Sequence, residues 1–174
     1  MESSGEANDS IGVKVPIAFL IIILLLVGQF DSLRRPAIIL MTIPLGLIGV
    51  IIGLYITQKP LGFVAFLGVI ALAGIVINNA IVLIDRIKIE IERNGMEPAR
   101  AVVEAAQRRL RPILLTTATT MGGLIPLWLG GGPLFEAMAV AIIFGLFFAT
   151  VLTLGFVPMM YSLFFGVKFK EFSY

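Results

Sequence analysis

Apolar residues in this chain come in long runs, separated by short polar or glycine- and proline-rich breaks. The first run covers about Val15 to Phe30 and stops at the charged turn Asp31-Ser32-Leu33-Arg34-Arg35. The second goes from Pro36 to about Thr57, followed by the link Gln58-Lys59-Pro60-Leu61-Gly62. The third, Phe63 to Ile84, closes on Asp85 and Arg86; the fourth runs from Pro112 to Leu129, and the fifth from Leu134 to about Phe165. A helix rises about 1.5 Å per residue, so runs near 20 residues read as transmembrane spans. Gly130-Gly131-Gly132-Pro133 reads as a break, because glycine and proline both disfavour helix interiors. The pattern predicts an all-α membrane protein with five transmembrane helices, at about 15–30, 36–57, 63–84, 112–129 and 134–165. These form a bundle over 15–166, between a polar tail at 1–14 and a second tail at 167–174.

Between spans three and four lies the one sizeable polar segment, Arg86 to Arg111. Within it Ala99, Val102, Val103, Ala106 and Leu110 recur at three- and four-residue spacing, after an Asn94-Gly95 turn and with Pro98 suited to a first helical turn. Glu104 and Arg108 have the i,i+4 spacing of a supporting ion pair. The expectation is a short amphipathic helix over 98–110 on the membrane surface, either a plain linker or a contact for lipid or another subunit.

Composition agrees with this reading: 59% of the residues are hydrophobic, 14% are charged and the mean hydropathy is +1.04. No soluble domain of this size has that balance. Charge then gives an orientation. Eleven cationic residues (Arg34, Arg35, Arg86, Lys88, Arg93, Arg100, Arg108, Arg109, Arg111, Lys168 and Lys170) fall on one side, against Lys14 and Lys59 on the other. The positive-inside rule makes the first side cytoplasmic, with the amino terminus outside and the carboxyl terminus inside. The chain has no cysteine and no histidine, which removes disulfides and the usual zinc, copper and proton-shuttle ligands. No cofactor, metal site or nucleic-acid partner is expected, and no pair of convergent acids or nucleophile within a span points to an enzyme.

The candidate chemistry sits in spans three and four. Asn78 precedes Asp85 by seven residues, close to two helical turns, so both share a face with Gly74. Asn79 must point elsewhere, and one neighbouring helix cannot satisfy both amides. In the antiparallel fourth span Thr116 falls at a depth similar to Asn78, which allows the two to meet, and Thr117, Thr119 and Thr120 follow it. Two bland readings stand beside these. Threonine hydroxyls often bond back to carbonyls of their own helix, and Asp85 with Arg86 can be ordinary interface charges that end a helix. Gly49 and Gly53, and Ala141, Gly145 and Ala149, have the small-xxx-small spacing of close helix packing.

Four segments in order carry a family resemblance: Gln29-Phe30-Asp31-Ser32-Leu33-Arg34-Arg35-Pro36, Ile43-Pro44-Leu45-Gly46-Leu47-Ile48-Gly49, Gly74 to Asp85, and Arg109-Leu110-Arg111-Pro112-Ile113-Leu114-Leu115-Thr116-Thr117. The chain resembles the carboxyl-terminal membrane block of a resistance-nodulation-division (RND) efflux transporter of the hydrophobe and amphiphile branch. The resemblance implies a proton-driven multidrug antiporter of the bacterial inner membrane, with 1–14 as a periplasmic tail. It also implies a homotrimer working with a periplasmic adaptor and an outer-membrane channel. Arg109 and Thr116 then match an arginine and a threonine of the proton relay, and Asn78 stands at the relay's lysine position, with Asn79, Asp85 and Thr120 as secondary positions. The acids of that relay belong to an amino-terminal part absent from this sequence. The chain is therefore expected to be a fragment or split-gene product that cannot transport alone; the competing expectation is a non-transporting membrane scaffold or assembly subunit.

Overall fold

The computed structural model describes residues 2–167. Met1 and the part of the expected carboxyl-terminal tail from 168 to 174 lie outside the described residues. The helices follow in the order α1 (Glu2–Phe30), α2 (Arg34–Leu40), α3 (Ile43–Thr57), α4 (Phe63–Glu92), α5 (Pro98–Gly130) and α6 (Gly132–Phe165). Among the described residues, four stretches are long and apolar enough to cross a membrane: Arg34–Thr57, Phe63–Glu92, Pro98–Gly130 and Gly132–Phe165. Lys14–Phe30 is a shorter apolar helix. The chain divides into two compact units, 1–37 and 38–174.

In the first unit α1 starts at Glu2, so the backbone of the expected polar tail is helical. No proline precedes Pro16 to stop the helix, and extending an existing helix costs far less than nucleating one. The α1 terminus is built from its polar turn. Asp31 takes φ 46, and its N–H donates to the Val27 carbonyl at 3.0 Å. The Ser32 hydroxyl then accepts from the Arg34 N–H at 3.3 Å, and Arg35 Nη1 donates to the Phe30 carbonyl at 3.4 Å.

The second unit departs from the expected segmentation at three points. The second apolar run is broken at Met41 and Thr42, because Pro44 has no N–H for the Leu40 carbonyl and its ring crowds that turn. The Ile39 carbonyl accepts both the Thr42 N–H at 3.1 Å and the buried Thr42 hydroxyl at 2.5 Å, which closes the tight turn at the break. The third run does not end at Asp85. Helix α4 continues to Glu92 with Ile87 and Glu90 fully buried, so packing, not hydropathy, sets its end. Finally, the surface helix expected at 98–110 is not separate from the fourth run. Helix α5 passes through Pro112, its buried Ala99, Val102, Ala105, Ile113 and Thr117 forming one seam across the proline. A proline inside a helix costs about 3 kcal/mol, which a continuous packed seam offsets. The turn before it is as expected, with Gly95 at φ 62 between α4 and α5.

Helix α6 is the centre of the second unit and packs against α3, α4 and α5. Over its most apolar stretch 56% is buried, against 11% for the most apolar stretch of α5, so that part of α5 is largely unpaired within the unit. The core is made by Val50 and Leu54 of α3, Leu72 and Val76 of α4, and Val140, Leu146 and Ala149 of α6. The two small-residue series meet each other there. A Cβ added at Gly49 would lie 2.6 Å from the Phe144 carbonyl oxygen and 2.9 Å from the Gly145 Cα. One at Gly53 would lie 2.5 Å from the Phe144 Cβ, and one at Gly145 would strike Leu72. Trp128 of α5 packs edge-on against Phe144 with ring centroids 6.1 Å apart. Outside this core Leu115, Leu129, Val151 and Leu163 are exposed, a surface suited to hydrocarbon rather than water.

Candidate functional site

The two adjacent asparagines are separated by about 100° around α4, and the structure sends them to different places. Asn79 faces inward and lines a small void with Leu83 of α4, Ile113 of α5, and Thr150 and Thr153 of α6. The void measures about 10 Å³. Beside it the buried Thr117 and Thr150 hydroxyls share a hydrogen bond of 2.9 Å that ties α5 to α6. The Thr153 hydroxyl is buried and has no partner among the described residues. This inward cluster was missed in the sequence, although threonines at 150 and 153 inside the longest apolar run carry a signal: polar groups in hydrocarbon need partners.

Asn78 faces outward and is exposed, as is Gly74 one turn earlier, where an added Cβ would meet nothing within 4 Å. Thr116 is also exposed; Arg109, Asp85 and Thr120 are half-buried. No hydrogen bond joins Asn78 to Thr116 among the described residues. The Thr116 hydroxyl donates to the Ile113 carbonyl at 3.0 Å, and that of Thr119 to the carbonyls of Leu115 and Thr116 at 2.9 and 3.0 Å. These two threonines thus satisfy themselves within α5, whereas Thr117 bridges helices. Replacing Thr117 by valine should cost about 0.6–1.7 kcal/mol, the range for such bonds between membrane helices, read as a lower unfolding temperature in detergent. Converting Thr150 to valine as well should recover part of the loss, since the second hydroxyl no longer lacks its partner.

A second polar set closes the other end of α4. The carboxylate of Glu90 is fully buried. Its Oε1 lies 2.5 Å from Arg86 Nη2, one turn back on α4, and 3.5 Å from Arg108 Nη1 on α5. Its Oε2 accepts from Asn94 Nδ2 at 2.5 Å, and its backbone carbonyl accepts from the Met96 N–H at 3.1 Å. Arg108 also pairs with Glu104 at 2.6 Å, the i,i+4 contact its spacing predicts. Glu90 was overlooked because it lies in the charged segment, where a lone acid reads as solvated; its spacing from Arg86 and Asn94 was the available signal. At the opposite end of the bundle Lys59 pairs with Glu136, joining the α3–α4 link to the start of α6.

Among the described residues, four long apolar helical stretches with exposed aliphatic side chains define a multi-pass helical membrane protein. The AcrB/AcrD/AcrF family model matches residues 1–165, and the chain belongs to that family of RND permeases. The swarming motility protein SwrC of Bacillus subtilis (strain 168) is 40% identical over 175 residues, covering 97% of this chain. An uncharacterized transporter of Haemophilus influenzae (strain ATCC 51907 / DSM 11121 / KW20 / Rd) is 32% identical over 166 residues, covering 90% of it. A crystal structure of a heavy metal efflux pump is similar with a TM-score of 0.79 at 32% identity over 95% of this chain. A second crystal form gives 0.67, 30% and 93%. In each case the chain spans only 16% of the relative's own length.

Proposed function

We propose that this chain is the carboxyl-terminal transmembrane part of a proton-driven RND efflux permease of the bacterial inner membrane. It contributes one face of the proton relay and is not competent for transport alone. The observation that carries this reading is the outward face of α4 and α5. A family member whose chain spans 16% of its relatives has Asn78, Gly74 and Thr116 exposed, on a surface that a further part of the permease would cover. We assign Asn78, Arg109 and Thr116 to relay support, on the resemblance of their segments to the family's, with Asn79, Asp85 and Thr120 as secondary positions. Asn78 can pass hydrogen bonds but cannot take up a proton near neutral pH, so the titrating groups belong to the partner face.

In this proposal there are five crossings, with the amino terminus outside and the carboxyl terminus inside, and α1 supplies the first. The partners are the amino-terminal part of the permease, two further copies in a homotrimer, a periplasmic adaptor and an outer-membrane channel. The cargo class is hydrophobic and amphiphilic compounds.

The test exchanges Asn78 for alanine in the complete permease. Efflux per assembled molecule should fall about tenfold, the scale of one hydrogen bond lost from the coupling path, with assembly unchanged. A scaffold role predicts the reverse: lower stability with efflux persisting. Resistance to metal ions instead of amphiphiles in the same cells would reverse the cargo assignment.

A further inference from the structure

Of the inward cluster only Asn79 enters that relay, as a secondary position; Thr150 and Thr153 have no place in it. The Thr153 side chain is 94% buried by its residue exposure of 6%, and its hydroxyl lacks a partner while lining the void. A hydroxyl left so in an apolar interior is costly, and native interiors rarely tolerate it. Asn79 and Thr150 also line the void, so polar residues from two helices border it, with Ile113 of α5 on a third side.

We propose that Asn79, Thr150 and Thr153 bind one water molecule between α4, α5 and α6. The space is small: about 10 Å³ is at the threshold for one water. Chemistry sets the identity. A buried water needs two to four polar partners, and three are present. Thr150 has capacity left after its bond to Thr117, because a hydroxyl donates once and accepts twice. None of the lining residues carries a charge, which suits a neutral occupant. The water satisfies Thr153 and links α4 to α6 where no direct side-chain bond does among the described residues, a structural task for Asn79 beside its secondary place in the relay.

The test is Thr153→Val in the complete permease, a change that keeps the shape and removes the hydroxyl. With the water bound, the folded-to-unfolded ratio should drop about tenfold, because the water loses one of three partners. A variant as stable as the parent, or more so, would overturn the proposal, since it would show the hydroxyl had been an unpaired liability. A high-resolution density map gives the second readout: a peak within hydrogen-bond distance of Thr153 Oγ1 in the parent, absent from the variant. A parent map with no peak, and the hydroxyl turned onto a carbonyl of α6, would sink it even if the variant failed to accumulate.

Discussion

Leucine in place of Gly49 should prevent the membrane domain from accumulating in folded form, and alanine there should already lower its stability by about 1–3 kcal/mol. The obstacle is backbone: an added Cβ would sit 2.6 Å from the Phe144 carbonyl oxygen, which no rotamer change can move. Helices α3 and α6 would have to separate, and the loss of packing would spread to Val50, Leu54 and Leu146. Gly155 on the same α6 is the control, because a Cβ there meets nothing within 4 Å. Gly155→Ala should be neutral or stabilising by about 0.5–1 kcal/mol, as alanine suits a helix interior better than glycine. Yield and thermal unfolding of the complete permease in detergent measure both. An unchanged unfolding temperature for Gly49→Ala would show that the close approach of α3 and α6 does not hold the bundle.

The second large effect is expected at Glu90. Replacing it by alanine leaves Arg86 without its carboxylate and removes the acceptor for Asn94, while Arg108, half exposed, keeps its pair with Glu104. Truncating one partner of a buried pair is far more damaging than losing the pair, because an uncompensated charge remains. Glu90→Ala should therefore lower the unfolding temperature strongly, and Glu90→Leu combined with Arg86→Met should recover much of the loss. By contrast Lys59→Ala, which opens the partly exposed pair with Glu136, should cost only about 0–1 kcal/mol. If the Glu90 single variant were as stable as the double, the carboxylate would not be what offsets the Arg86 charge.

Run lengths and the positions of charges made the helical membrane class legible before any coordinates. They did not give the helix ends, because hydropathy reports where the chain changes solvent, whereas backbone hydrogen bonds and packing decide where a helix stops. Asp85 marks the first boundary and Glu92 the second. Pro112 reads as a border in sequence, yet α5 crosses it on a continuous buried seam; Pro44, with Thr42 closing a tight turn onto the Ile39 carbonyl, does break its run. At the candidate site, spacing alone showed that Asn78 and Asn79 point to different faces. Which face is inward depends on α6, and its threonines at 150 and 153 lie more than 70 residues away in sequence, beyond the reach of any local pattern.

The reversal at Gly131 bears on how this protein enters a membrane, not on what it does once there. Helix α5 ends at Gly130 and α6 begins at Gly132, which takes φ 77, so one residue separates them. Between Arg111 and Glu136 no charged side chain occurs. In the proposed topology, α5 and α6 can therefore partition into lipid together as a preformed helical hairpin, with almost no hydrophilic chain to be threaded across. Lengthening this turn with charged residues should slow insertion of both helices at once.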